Sequence, residues 1–147
     1  MLFEPEYVIY VDGASRGNPG HASYGYAILD SEGRVIHSGS GYIGVNTNNV
    51  AEYTALQEAL RFALKQGIAS VEVRADSELM VRQIKGEYKV RAPHLMPIYE
   101  ECRSLLRKLQ VQGIEHVPRE QNRIADRLAN EALDRKLKKQ KTLKSDQ

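Results

Sequence analysis

The sequence contains one cysteine and no long run of apolar residues. Cys102 cannot form an intramolecular disulfide and has no cysteine partner for a zinc site, so we expect it to be a small apolar core residue. No segment approaches the roughly 20 apolar residues of a membrane-spanning helix, and residues 1–6 lack the basic and apolar regions of a signal peptide. These absences predict a cytoplasmic protein without a membrane segment.

The length and hydrophobic content of the chain indicate one domain. A chain of 147 residues that is 41% hydrophobic can bury a core of its own. The net charge of +2 is unevenly spread, because residues 135–147 carry six basic side chains and one acidic one. A basic tail on a mildly acidic body is compatible with phosphate contacts and equally with a solvated chain end, so we infer no function from charge.

Alternating hydrophobicity predicts three strands joined by short connections, followed by helices that alternate with two further strands. Three sequential strands with short connections form an antiparallel meander, so we expect an α/β protein. The predicted strands are 7–13, 22–29, 34–43, 71–76 and 113–118, and the predicted helices are 50–66, 77–84, one around 95–109 and one after Asn122.

Four carboxylates occur at the ends of these elements. Asp12 and Asp76 end predicted strands, Asp126 lies in the first turns of the last helix, and Glu52 falls on the apolar stripe of the first long helix. Converging carboxylates repel one another and need cations. Oxygen ligands favour Mg²⁺ or Mn²⁺, and two such ions about 3.5–4 Å apart suit in-line phosphodiester cleavage. Because the chain has 19 acidic residues, some would lie at element ends by chance.

Short sequence pieces occur in a fixed order between Tyr7 and Leu133. They are Val-Asp-Gly-Ala at 11–14, Gly-Asn-Pro-Gly at 17–20, Thr-Asn-Asn-Val-Ala-Glu at 47–52, Ala-Asp-Ser at 75–77, Val-Pro-Arg-Glu at 117–120 and Ala-Asp-Arg-Leu-Ala at 125–129. Together they resemble the type 1 ribonuclease H family. The resemblance implies a ribonuclease H-like fold, a mixed five-stranded sheet in order 3-2-1-4-5 flanked by helices, with strands 1–3 antiparallel. We assign residues 1–135 to the catalytic domain and 136–147 to a basic tail that is partly helical or disordered.

The resemblance also implies an activity: metal-dependent endonucleolytic hydrolysis of the RNA strand of RNA–DNA hybrids, leaving 5′-phosphate and 3′-hydroxyl ends. It implies two Mg²⁺ ions, with Mn²⁺ as a substitute, and a monomer that binds the hybrid, with double-stranded RNA as a further candidate substrate. The implied catalytic and metal-binding residues are Asp12, Glu52, Asp76 and Asp126, and the implied substrate contacts are Gly13, Asn18, Thr47, Asn48, Asn49 and Ser77. Local chemistry alone would make the asparagines and Thr47 turn formers or helix caps.

Two features of better-known family members are missing. Those members carry a histidine in a flexible loop between the last strand and the last helix, and the resemblance implies a role for it in proton transfer or product departure. Here the loop between Pro118 and Asp126 is short and has no histidine, so we consider Glu120 or Asn122 as partial replacements and interpret His116 as structural. The second missing feature is the basic handle, an extra helix and loop rich in Lys and Trp that grips the hybrid, for which residues 86–93 are too few. Lys85, Lys89, Arg91 or the tail would have to grip the hybrid instead. Arg16 and Arg119 are candidate phosphate contacts.

Two other function classes stay open at this point. A related polynucleotidyl transferase or nuclease shares the metal chemistry, although Asn18 and the Thr47-Asn48-Asn49 run favour reading of ribose 2′-hydroxyls. A non-catalytic hybrid-binding module would not need four acids, which repel phosphate.

Overall fold

The computed structural model describes residues 5–145, which form a five-stranded mixed sheet with helices on both faces. The sheet order is β3-β2-β1-β4-β5, as the family resemblance implied, and β1, β2 and β3 form the antiparallel meander that their short connections predicted. In chain order the elements are β1 (Tyr7–Gly17), β2 (Gly20–Asp30), β3 (Val35–Asn46), α1 (Asn48–Lys65), β4 (Ser70–Ala75), α2 (Glu78–Ile84), α3 (Met96–Arg107), β5 (Gln110–His116), a 3₁₀ turn (Arg119–Gln121) and α4 (Arg123–Ser145).

The central strand β1 is longer than the sequence indicated. We predicted a strand over residues 7–13, but it continues to Gly17 because β2 pairs with its whole length. The parallel neighbour β4 pairs with β1 only as far as Val11, which lies opposite Ala75. Asp12 therefore lies where the two parallel strands part, and Asp76 follows directly after the end of β4. This parting opens a crevice between the carboxyl ends of adjacent strands.

Consecutive residues of β1 face opposite sides of the sheet, and each side carries a helix. Gly13 faces α1, where an added Cβ would lie 2.8 Å from Ala51 Cβ. Ala14 packs against Ala129 and Leu133 of α4. The main core lies between the sheet and α1, α2 and α3, and Cys102 is fully buried in it, as predicted.

Several element boundaries differ from the predicted ones. The strand β5 begins at Gln110, three residues earlier than expected, so Leu109 follows α3 instead of belonging to it. The tail predicted as partly helical or disordered is helical as far as Ser145, because α4 passes residue 135 without a break. Residues 146 and 147 lie outside the described range. Within that range no helix is long and apolar enough to span a membrane.

Candidate active site

A pocket of about 540 Å³ opens at the point where β1 and β4 part. All four predicted carboxylates line it, and they come from four separate elements or their ends. Of the predicted substrate contacts, Gly13, Asn18, Asn48 and Ser77 also line the pocket, whereas Thr47 and Asn49 do not.

Asp12 lies at the centre of this arrangement and is only 5% exposed. Its Oδ1 accepts a hydrogen bond from the Gly13 backbone N–H at 2.8 Å. The pKa of Asp12 is raised to about 9, chiefly by burial, and the charges of Asp76 and Glu52 and a hydrogen bond with the Asp126 carboxyl contribute to the rise. Asp12 therefore interacts with each of the other three acids across the pocket.

Glu52 is buried near the start of α1, as its place on the apolar stripe predicted, and is 6% exposed. Its Oε1 accepts a hydrogen bond from Asn48 Nδ2 at 2.8 Å, while its Oε2 is buried without a protein partner. The pKa of Glu52 is raised to about 7, chiefly by burial, although the nearby polar groups of Ser77 and Asn48 act in the opposite direction. An unpartnered buried carboxylate oxygen costs free energy, which a bound cation would offset.

Asp126 lies in the first turn of α4, and its side chain is 29% exposed. Its Oδ1 accepts a hydrogen bond from Asn130 Nδ2 at 3.1 Å, and Arg119 Nη2 lies 3.5 Å from the same oxygen. Its backbone N–H donates to the Asn122 carbonyl at 3.1 Å. The carboxylate at the pocket rim is therefore held by polar side chains of its own segment.

Within residues 5–145, no three His, Cys, Asp or Glu side chains are placed closely enough together to form a metal-binding group. The four carboxylates thus share a pocket without forming a preformed ligand cluster. Their oxygen-only chemistry and the unpartnered Glu52 Oε2 fit a hard divalent cation. The metal site stays a prediction.

Asn122 is a structural residue of this site. Its side chain is 1% exposed, and its Nδ2 donates to the Val11 carbonyl at 2.8 Å. Since Val11 precedes Asp12 and the Asn122 carbonyl binds the Asp126 backbone, this residue joins two acid-bearing segments. It faces the backbone of β1, and it is not among the residues that line the pocket, so this placement argues against a role in proton transfer.

The other residues considered for the histidine role lie apart from the acids. Glu120 is exposed and does not line the pocket. His116 is exposed and lines a separate crevice beside α2, together with Arg82 and Lys85. The predicted phosphate contacts Arg16 and Arg119 both line the acidic pocket.

Asn18, one of the predicted substrate contacts, links the loop between β1 and β2 to the start of α1. Asn18 Oδ1 accepts a hydrogen bond from the Asn48 backbone N–H at 3.1 Å. Thr47 caps α1 by accepting from Val50 N–H, and Asn49 Nδ2 lies 3.4 Å from Gln83 Oε1 of α2. The caps that local chemistry predicted are present, and Asn18 and Asn48 still reach the pocket.

Sequence reasoning missed two polar residues of the pocket, Ser15 and Asn130. For Asn130 the signal was available, because residues four apart on a helix share a face and Asn130 lies four after Asp126. In the sequence Asn130 lies among the alanines and the leucine of a predicted packing face, so the pattern indicated packing at this position.

Comparison with known proteins decides the family. Residues 10–132 match the sequence profile of the family described as reverse transcriptase-like. A ribonuclease HI of Halobacterium salinarum is 44% identical over 125 residues, or 85% of this chain. The chain belongs to the type 1 ribonuclease H family. Dependence on divalent metal is general in this family.

Solved ribonuclease H structures share the fold. The crystal structure of RNase H1 from Halobacterium salinarum NRC-1 superposes with a TM-score of 0.83 at 43% identity, covering 87% of this chain and 97% of that one. LC11-RNase H1 in complex with an RNA/DNA hybrid superposes with a TM-score of 0.83 at 44% identity, covering 89% and 99%. The chain spans 63% of the length of the Halobacterium ribonuclease HI and 35% of the length of a bifunctional Mycobacterium tuberculosis relative.

Proposed function

We propose that this protein is a metal-dependent endonuclease that hydrolyses the RNA strand of RNA–DNA hybrids and leaves 5′-phosphate and 3′-hydroxyl ends. The observation that carries the proposal is the convergence of four carboxylates from four elements on one pocket. Membership of the ribonuclease H family and the hybrid bound by a relative of 44% identity support it.

The proposed metal ligands are Asp12, Glu52, Asp76 and Asp126, which would hold two Mg²⁺ ions or Mn²⁺ in their place. Bound divalent ions supply Lewis acidity to the attacking and leaving oxygens of an in-line displacement. The raised pKa of Asp12 supports a site in which the acids need positive charge to ionise together.

The protein fixes these carboxylates before any substrate arrives. Asp12 sits on the central strand, and Asp76 follows the neighbouring strand, so the sheet sets their separation. The Asn48 amide holds one oxygen of Glu52 and leaves the other free. The backbone that carries the acids is therefore set in advance, although within residues 5–145 their side chains do not form a preformed ligand cluster.

The pocket rim provides groups suited to an RNA strand. We propose that the amides of Asn18 and Asn48 read ribose 2′-hydroxyls, which distinguish RNA from DNA, and that Arg16 and Arg119 contact phosphates. We also propose that the RNA–DNA hybrid is contacted by Gly13, Ser77, Thr47 and Asn49. Gly13 also has a packing reason, because a Cβ there would lie 2.9 Å from the Glu52 backbone N.

One experiment tests the proposal directly. A single labelled sequence is presented as RNA–DNA, RNA–RNA, DNA–DNA and single-stranded RNA, each with Mg²⁺ and with Mn²⁺. We expect cleavage of the RNA strand in the hybrid only when metal is present. Binding of the hybrid without cleavage would overturn the proposal in favour of a binding module, and cleavage of DNA–DNA would favour another nuclease of this fold. The RNA–RNA lane decides whether double-stranded RNA is also a substrate.

Three further expectations stay proposals: a catalytic domain within residues 1–135, a monomeric state and a cytoplasmic location. The first is affected by the continuity of α4, because residues 136–145 belong to the same helix as Asp126.

A further inference from the structure

A chain of polar contacts runs from Asp126 along α4 to the far end of β1. Asn130 Nδ2 donates to Asp126 Oδ1 at 3.1 Å and to the Asp126 carbonyl at 2.9 Å. Asn130 Oδ1 accepts from Arg16 Nη1 at 3.2 Å, and Arg16 Nη2 donates to Asp134 Oδ1 at 2.6 Å. Asn130 and Arg16 both line the acidic pocket.

The chemistry of the two neighbours fixes the orientation of the Asn130 amide. A guanidinium only donates hydrogen bonds, and an ionised carboxylate only accepts them. The amide oxygen must therefore face Arg16, and the amide nitrogen must face Asp126. A flipped amide would place oxygen against carboxylate oxygen and nitrogen against guanidinium.

We propose that Asn130 is a positioning residue for Asp126, and that Arg16 locks its amide in the required orientation. The amide engages Oδ1 of Asp126 and, in the proposed role, leaves the other carboxylate oxygen available to the ion. This inference rests on the proposed function, because it gives Asp126 the role of a cation ligand there. Asn130 itself contacts neither the substrate nor the ion.

The energetics of the helix oppose a purely structural role. Asparagine is a poor residue for a helix interior, and alanine is among the best. Arg16 and Asp134 form an exposed ion pair, which contributes little to stability. Asparagine at position 130 therefore stabilises the helix less than alanine would, but its amide makes a specific contact that can orient Asp126.

Metal binding without substrate provides the test. Mg²⁺ alone, and Mn²⁺ alone, are titrated calorimetrically into the full-length wild type and into Asn130→Ala, Asn130→Gln and Glu131→Gln. Glu131 is the next residue of α4 and is exposed, with Arg127 as its ion-pair partner at 3.7 Å, so its variant is the matched control. Melting temperatures without metal and single-turnover cleavage of hybrid are measured on the same samples.

We expect Asn130→Ala to bind the ion about 10-fold more weakly, since loss of a group that supports a metal ligand typically costs about 10–100-fold. Its melting temperature should stay the same or rise. Asn130→Gln, which keeps an amide donor, should bind more tightly than Asn130→Ala, and Glu131→Gln should match the wild type.

Two results would overturn the inference: binding by Asn130→Ala within twofold of the wild type, or a fall in its melting temperature large enough to account for the weaker binding. A wild type that binds the ion but cleaves no hybrid would instead refute the proposed function. The two failures are therefore distinguishable.

Discussion

The two helices that flank the central strand each bring one acid to the pocket, but they hold it differently. Glu52 of α1 is 6% exposed, and α1 packs it among residues of the main core. Asp126 of α4 has a side chain that is 29% exposed and depends on hydrogen bonds from Asn130 and to Asn122. Burial and the Asn48 amide thus hold the Glu52 carboxylate, whereas the partly exposed Asp126 is held by polar contacts within its own segment.

The packing of the two helices also differs in tightness. An added Cβ at Gly25 of β2 would lie 2.5 Å from the Ala125 carbonyl oxygen and 2.6 Å from the Ala129 N of α4. At Gly13, facing α1, the first contact would be the Ala51 Cβ at 2.8 Å. The backbone of α4 therefore lies directly on the sheet, which brings Asp126 close to Asp12 although its helix has few large apolar residues.

The largest effect is expected from removing the buried acid. Glu52→Gln should lower hybrid cleavage by more than about 100-fold, beyond the usual cost of losing a group that only supports a ligand. The fold should persist or gain stability, because one repulsive carboxylate is removed. Asp126→Asn, at the exposed rim, should lose less. Single-turnover rates and melting curves measure both, with Glu58→Gln on α1 as the comparison. Wild-type turnover in pure Glu52→Gln would refute the metal site.

The glycine contacts predict a difference in stability. Gly25→Ala should destabilise the protein by about 3 kcal/mol and Gly13→Ala by about 1–2 kcal/mol, within the usual range for overpacking. Rigid backbone atoms oppose the new methyl group at Gly25. Chemical denaturation measures both, and Gly113→Ala serves as reference, because its nearest neighbour is the flexible Glu115 carboxylate at 3.3 Å. Equal stability of the three variants would contradict the close approach of α4.

Asn122 should matter for stability more than for the chemical step. Asn122→Ala leaves the buried Val11 carbonyl without its side-chain donor, which should cost about 1–3 kcal/mol. The exposed neighbour Gln121→Ala should cost little. Urea titration gives the free energies of unfolding, and cleavage rates at low temperature separate folding from chemistry. A stable Asn122→Ala with slowed cleavage would show that this residue does act in catalysis.

The raised pKa values predict the pH dependence of stability. Asp12 and Glu52 have folded pKa values of about 9 and about 7, against ordinary values of 3.8 and 4.5. Between those limits the folded state binds more protons, so the free energy of unfolding of the metal-free protein should fall as pH rises from 5 to 9. The stability is present below about pH 4 and is lost as pH passes through the folded values. Denaturant titrations in EDTA should show a smaller pH effect in Asp12→Asn, and identical pH profiles would contradict the prediction.

The smallest effect concerns the basic end of α4. Lys138 and Lys139 are exposed on the helix that begins at the pocket. If they contact phosphate, Lys138→Gln with Lys139→Gln should reduce the salt slope of log K for hybrid binding by roughly 0.9 per contact and leave kcat unchanged. Binding measured from low to moderate salt tests this. Coincident slopes would show that the extension is only solvated helix.

Much of the fold could be read from local patterns. The apolar stripe of α1 identified Glu52 as inward-facing, and Thr47 and Ser77 cap their helices as their positions indicated. Boundaries were less accurate, since a tight hairpin with β2, in which Gly17 lies opposite Gly20, extends β1 beyond its apolar residues. The end of α4 was also predicted inaccurately, because the helix continues to Ser145, beyond the apolar spacing on which the prediction rested.

The sequence by itself determined on which elements the four acidic residues lie, because helical and strand periodicity follow from each segment alone. Only the tertiary structure decided how these acids meet. The early end of β4 beside Asp12, the close approach of α4 over Gly25, and the Asn122 and Asn130 amides depend on residues far apart in the chain or on the facing of side chains. Burial, which raises the pKa of Asp12 and Glu52, is likewise a property of the packed molecule.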